Sequence, residues 1–210
     1  MKKPLYRMFS AFFVLALAAL PMQSAEALGG GSGAISLTTL GTAYTQNFDT
    51  LANSGTTNSI TISGWYLDES GTGAANNGQY AAGTGSSTTG DTYSFGASSS
   101  SERAFGGLLS GSLNPTIGAS FTNNTGQTVT SLDVSYTGEM WRAGVTNRGT
   151  ADRLDFQLST NATSLTTGTW VDYDSLDFNS PNLAATVGAQ NGNSAVNQAA
   201  VSFSITGLSI

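Results

Sequence analysis

The chain has no cysteine and no histidine, and these two absences remove most of the common catalytic chemistries. Without thiols there is no disulfide framework, so an exported form must hold its fold by core packing alone. Without imidazole, Ser-His-Asp triads, Cys-His proteases and His-ligated zinc centres are excluded. Lysine occurs only as Lys2 and Lys3, which leaves none to serve a Walker-type phosphate loop. The Gly-x-Gly pieces at Gly71-Thr72-Gly73 and Gly83-Thr84-Gly85 lie in polar stretches with no helix behind them and read as flexible loops. No stretch carries helical periodicity of useful length. No fixed repeat is present either, which speaks against a β-helix or a calcium-binding repeat array.

What is present begins with a leader. Lys2, Lys3 and Arg7 precede the uncharged apolar run Met8 to Leu20, Pro21 ends it, and Ala25-Glu26-Ala27 offers the small-x-small pattern of a signal peptidase site. The run is shorter than the roughly 20 residues a membrane-spanning helix needs. The pattern predicts a signal peptide over 1–27, cleavage after Ala27, a secreted or cell-surface location and no membrane span after cleavage. Cleavage would remove three of the 7 basic residues and one of the 13 acids, leaving 183 residues with four arginines, twelve acids and a net charge of −8. A surface so poor in cations argues against nucleic acid or anionic membrane as partners.

The remaining chain is rich in Ser, Thr, Gly and Asn, with an aromatic residue in nearly every segment, as suits an ordered all-β domain rather than a disordered one. Residues 28–41 read as a flexible leader and first strand (Ile35 to Leu40), and residues 42–210 as one domain. Strand candidates follow at Ala43 to Phe48, Ile60 to Ile62, Trp65 to Leu67, Thr92 to Gly96, Arg103 to Leu109, Ile117 to Thr122, Trp170 to Tyr173 and Ala199 to Ile205. Gly71 to Gly90, broken only by Tyr80, reads as a surface loop or a weak edge strand. Asn114-Pro115 reads as a break, because proline cannot donate to a central ladder.

The clearest alternation is in the Ser120–Leu158 stretch, where Leu132, Val134 and Tyr136 alternate with Asp133, Ser135 and Thr137. Val129 is out of phase, which predicts a bulge or turn near Thr130 to Ser131. Leu154, Phe156 and Leu158 alternate in the same way, and the two runs are expected to pair as an antiparallel hairpin. About ten short strands at 8–12-residue spacing point to an all-β, jelly-roll-like antiparallel sandwich.

Three constellations could carry chemistry. Glu139, Arg142, Asp152 and Arg153 are expected to form an ion-pair network tying adjacent strands. A two-carboxylate glycosidase built on Glu139 with Asp152 or Asp155 is the competing reading, weakened by arginine neighbours that depress carboxylate pKa values. Asp172, Asp174 and Asp177, with Asn179 near, are candidate oxygen ligands for Ca²⁺, although the EF-hand spacing fails because Leu176 stands at its fifth position. The alternative is a solvated strand face. Trp65, Trp141, Trp170, Tyr66, Tyr80 and Tyr93 could stack on sugar rings or fill the core. Trp141, Arg142 and Tyr80 are the ligand-binding candidates, with Trp141 and the Ala143 to Gly149 loop as the binding edge.

An ordered set of motifs adds a resemblance. It comprises Ala43-Tyr44-Thr45-Gln46-Asn47-Phe48-Asp49-Thr50-Leu51, Gly64-Trp65, Tyr93-Ser94-Phe95-Gly96, Arg103-Ala104-Phe105-Gly106, Phe121-Thr122-Asn123-Asn124-Thr125-Gly126, Tyr136-Thr137-Gly138-Glu139-Met140-Trp141-Arg142, Asp152-Arg153-Leu154-Asp155-Phe156-Gln157 and Thr206-Gly207-Leu208. Over about Thr42 to Ile210 it resembles an uncharacterised secreted bacterial β-sandwich domain, found in surface proteins with PEP-type sorting signals and at the front of some extracellular nucleases. That domain has no assigned chemistry to carry over. Its members continue into a Trp-Arg-Trp-like strand and an Ile-Asp-Asp-Phe-like strand, whereas this chain stops at Ile210, so its last strands are expected to be missing.

The expectation is therefore a non-catalytic extracellular module without a required cofactor, Ca²⁺ being optional, that binds glycan or another surface component. The alternatives are an accessory domain of a secreted nuclease or phosphodiesterase and a purely structural surface or matrix protein.

Overall fold

The computed structural model describes residues 7–10, 15–17 and 30–210; most of the expected signal peptide and its cleavage point after Ala27 lie outside the described residues. Seven strands carry the frame: β1 (Trp65–Gly71), β2 (Tyr80–Gly83), β3 (Asp91–Phe95), β4 (Ala104–Leu109), β5 (Leu113–Asn123), β6 (Ser131–Glu139) and β7 (Gln198–Thr206). The only helical pieces among the described residues are single 3-10 turns at Asp174–Leu176 and Ala195–Asn197. The chain is all-β and sandwich-like, as its composition predicted.

Pairing follows the apolar periodicity. β1 and β5 form an antiparallel ladder from Trp65↔Ala119 to Gly71↔Leu113, and Ile35–Leu37 runs parallel to the end of β5. β4 pairs antiparallel with β3, which pairs in parallel with β2. β6 and β7 make a nine-residue antiparallel ladder, Ser131↔Thr206 to Glu139↔Gln198. It sets Leu132, Val134 and Tyr136 opposite Ile205, Phe203 and Val201, so the two apolar rows share one face. Asp133, Ser135 and Thr137 lie on the exposed side.

The hairpin expected between the Leu132 and Leu154 runs does not form. Gln157–Ser159 pairs with Val171–Asp172 and Arg153–Leu154 with Phe178–Asn179, while the longer, fully matched partner for β6 comes from the far end of the chain. The register break near Val129 is real. Beyond Ser131↔Thr206, Leu208 N–H donates to Thr130 O, and Val129 and Ile210 exchange backbone bonds. The extra residues sit on the β7 side, where Gly207 takes a left-handed φ of 77°.

Two further expectations are corrected. Pro115 lies inside β5 rather than ending it. Ser120 N–H donates to Gly64 O on the β1 side, so strand alternation turns the position of Pro115's missing N–H away from β1, and its ring meets Gly107 there. Ala43 to Phe48 and Ile60 to Ile62 are not strands. Asp49 N–H donates to Asn47 Oδ1, Leu51 N–H donates to Phe48 O, and Phe48 sits at φ 63°. The resulting turn sets the Phe48 ring edge-on to Trp65, with centroids 4.6 Å apart. Tyr80 explains the Gly71 to Gly90 stretch. It is 3% exposed, it anchors β2 as an edge strand, and its hydroxyl accepts Ala52 N–H at 2.9 Å.

The main core draws Trp65, Leu67, Tyr80, Phe105, Ile117, Val134, Phe156, Leu158, Leu176 and Ile205 from almost every element. A second cluster, Ala81, Tyr93, Phe95, Ala104, Leu108 and Trp141, covers the other face of β2–β3–β4. That sheet is therefore apolar on both sides, and β3 is buried at all five positions.

Arg103 is buried with it. Its Nε donates to Ser94 Oγ at 2.8 Å, and its Nη atoms donate to the Ser94, Gly83 and Ala97 carbonyls. Burial pushes its pKa down. Arg103→Ala leaves several buried carbonyls without a donor and is expected to lower unfolding stability by about 3–5 kcal/mol. Arg142→Ala, which removes two bonds to loop carbonyls, should cost about 1–2 kcal/mol. Urea unfolding of the two variants checks the order.

Candidate functional site

The expected metal ligands do not converge as a set. The 3-10 turn Asp174–Leu176 separates them. Asp177 caps the turn facing inward, accepting Phe156 N–H at 2.8 Å, while the side chain of Asp174 is 82% exposed. The carboxylates that meet are Asp155, Asp172 and Asp177, with ligand oxygens within 4.8 Å of one another. Asp155 joins because Gln157 pairs with Asp172 across the short ladder, a contact that spacing along the chain does not reveal.

Arg153 stands among these acids. Its guanidinium lies 2.8 Å from Asp177, 2.5 Å from Asp155 and 3.3 Å from Asp174. The surrounding carboxylates, Asp177 foremost, hold its pKa above the usual arginine value. Burial pushes Asp177 up, outweighing the Phe156 N–H and Arg153, which pull it down. Ca²⁺ takes 6–8 oxygen ligands, whereas here an arginine already meets the negative charge and Asp177 is committed to a backbone donor. The melting temperature is accordingly expected to be the same in EDTA and in millimolar calcium. Arg153→Ala should lower stability by no more than about 1 kcal/mol, since the arginine is half exposed and water screens the pairs.

The expected ion-pair network is also redistributed. Among the described residues Glu139 pairs with no arginine; it accepts Trp141 Nε1–H at 2.8 Å and Gln198 Nε2–H at 3.3 Å. Burial raises its pKa, the two donors oppose that, and the charge of Glu102 adds to it. Arg142 donates to Gly85 O and Ser86 O. Asp152 pairs with Arg148 at 2.5 Å, a partner four residues back that the expected set omitted. Arg153 serves the acids described above. The glycosidase pairing fails on the same geometry, because Asp152 and Asp155 answer arginines whereas Glu139 faces an indole and an amide.

The aromatic candidates are mostly interior. Trp141 is 2% exposed, lies parallel to Phe95 with centroids 6.3 Å apart, and is backed by Gly192, where any Cβ would strike the indole. Its expected role as an exposed stacking face is thereby overturned, because it covers the outer face of β3. Tyr80 is a core residue for the reason given above. Arg142 is half-buried, with two of its donors spent on the 84–90 loop. Trp65, Tyr66 and Tyr93 are buried too.

Trp170 differs. It is half-exposed, its Nε1–H donates to Thr167 O at 2.9 Å, and exposed Val171 follows it. Before it runs a loop whose hydroxyls and amides are bonded to one another: Asn161 Oδ1 accepts Thr169 N–H, and Thr167 Oγ1 accepts Thr163 N–H and Ser164 N–H.

The Ala143 to Gly149 loop lies largely at the surface. Arg142–Ala143 pairs with Gly188–Ala189, Arg148 N–H donates to Leu183 O, and Val187 N–H donates to Thr146 Oγ1. The two zipped loops present Val145, Leu183 and Val187 to solvent.

No family model, curated protein or solved structure matches this chain.

Proposed function

We propose that the chain is a non-catalytic extracellular β-sandwich module that binds a surface glycan along the 160–174 edge. The observation that carries this reading is Trp170, the one tryptophan of the three that is not buried. A half-exposed indole beside a rigid loop of hydroxyls and amides is suited to a sugar, with stacking on the ring's apolar face and hydrogen bonds to its hydroxyls. The Arg153–Asp155–Asp172 group, begun two residues further on by Asp172, adds polar partners at the same edge. The absence of histidine and cysteine, together with the pairing of Asp152 and Asp155 to arginines, supports a binding role over a catalytic one.

The second reading is a structural or protein-binding surface component. It is favoured by Val145, Leu183 and Val187, three exposed aliphatic side chains on the zipped loops. Apolar residues held together at a surface mark contact sites more often than scattered ones do.

The two readings separate by substitution. Trp170→Ala is expected to abolish binding on a glycan array at least tenfold while leaving the melting temperature nearly unchanged. Trp141→Ala should instead lower stability by about 3–5 kcal/mol through cavity formation. Absence of binding to every polysaccharide tested would sink the glycan reading. Loss of self-association or partner binding in Val145→Asp, with glycan binding absent, would favour the second.

A further inference from the structure

Glu69 and Asp91 form a buried carboxyl pair to which no binding role above is attached. Glu69 lies near the end of β1, and both of its oxygens are taken. Oε1 accepts Thr92 N–H at 3.0 Å, and Oε2 accepts Asn77 N–H at 3.0 Å and Gly78 N–H at 3.2 Å. One carboxylate thus holds the loop that enters β2 and the second residue of β3. Asp91 is 6% exposed, and its Oδ1 has no hydrogen-bond donor. A buried acceptor without a donor is costly, and two ionised carboxylates in contact repel. A proton on Asp91 turns that repulsion into a hydrogen bond to Glu69, whose own oxygens already face three N–H groups.

The surroundings agree. Burial first, then the hydrogen bond and charge of Glu69, push Asp91 up to about 8, with only Thr92 N–H opposing. Asp68, next to Glu69 on β1, is itself raised by burial and by Glu69. Tyr93 faces the same side of β3 as Asp91, and Arg142 acts on Tyr93 from beyond it. Tyr80 of β2 turns to the opposite face, against Phe105. β4, β5 and the 72–79 and 84–90 loops contain no ionisable side chain.

We propose that Glu69 and Asp91 share a single proton, and that this proton fastens the 72–79 loop and the starts of β2 and β3 to β1, so that alkaline pH loosens the fold at this end. The direction follows from linkage. A carboxyl whose pKa is raised in the folded state contributes stability that is complete below the unfolded value near 4 and is lost as pH rises through the folded value.

The test is hydrogen exchange of the Asn77, Gly78 and Thr92 amides by NMR between pH 6 and 9, with a carboxyl-carbon titration of Asp91 in the same samples. The expected result is one titration well above the ordinary carboxylate range, with protection at these three amides falling at least tenfold more than intrinsic exchange accounts for. Amides in β6 and β7 should not follow. Asp91→Asn, whose amide can donate to Glu69 without titrating, should keep the three amides protected throughout. Titration of Asp91 in the ordinary carboxylate range, or pH-independent protection in the unsubstituted chain, overturns the proposal, and both readouts stand even if the variant fails to fold. A calcium-induced rise in melting temperature at pH 9 that Asp91→Asn abolishes also overturns it, by placing a cation where the proton is proposed.

Discussion

The structure depends on how the two ends of one parallel strand pair are satisfied. β2 and β3 run side by side in the same direction, so their leading N–H groups gather at one end and their trailing carbonyls at the other. In a dry interior each orphaned group carries a desolvation cost. Glu69 answers the N–H end by accepting from Asn77, Gly78 and Thr92. Arg103 answers the carbonyl end by donating to Gly83, Ser94 and Ala97. An acid at one end and a base at the other let this four-residue edge strand stay half-buried beside β3.

The same pair imposes the next constraint. Parallel strands ordinarily need a long crossover, but β2 is short enough that residues 84–90 suffice for the return. That loop is clasped from outside. Arg142 donates to the Gly85 and Ser86 carbonyls, and Tyr93 OH donates to Thr89 O. Gly85, at φ 80°, lets the backbone pass against the Trp141 carbonyl, where a side chain would not fit. Trp141 then closes the outer face of β3 over Tyr93 and Phe95. The residues that looked most available for a ligand are thus spent on holding this loop and sheet.

The β-class, the periodic faces of β6 and β7, and the break after Val129 were legible in the sequence, because alternation of apolar and polar residues follows directly from strand geometry. Partner choice was not. Leu132–Tyr136 and Leu154–Leu158 carry equally good local patterns, and only the nine-residue match between β6 and β7 decided which strand β6 would take. Burial of individual side chains was illegible for the same reason. Trp141 and Trp170 both sit next to polar residues in sequence, yet one has a sheet face above it and the other has solvent.

For the candidate sites the division is sharper. The sequence by itself determined what chemistry is unavailable, since composition alone excludes thiol, imidazole and lysine chemistry beyond the leader. It also placed acidic residues at 172, 174 and 177. Only the tertiary structure decided that Asp155 replaces Asp174 in the converging set, that Arg153 supplies the positive charge there, and that Glu69 meets Asp91. Those outcomes are set by distances between residues remote in sequence. The energy of a buried charge depends on the groups within a few ångströms of it, and local pattern contains no record of them.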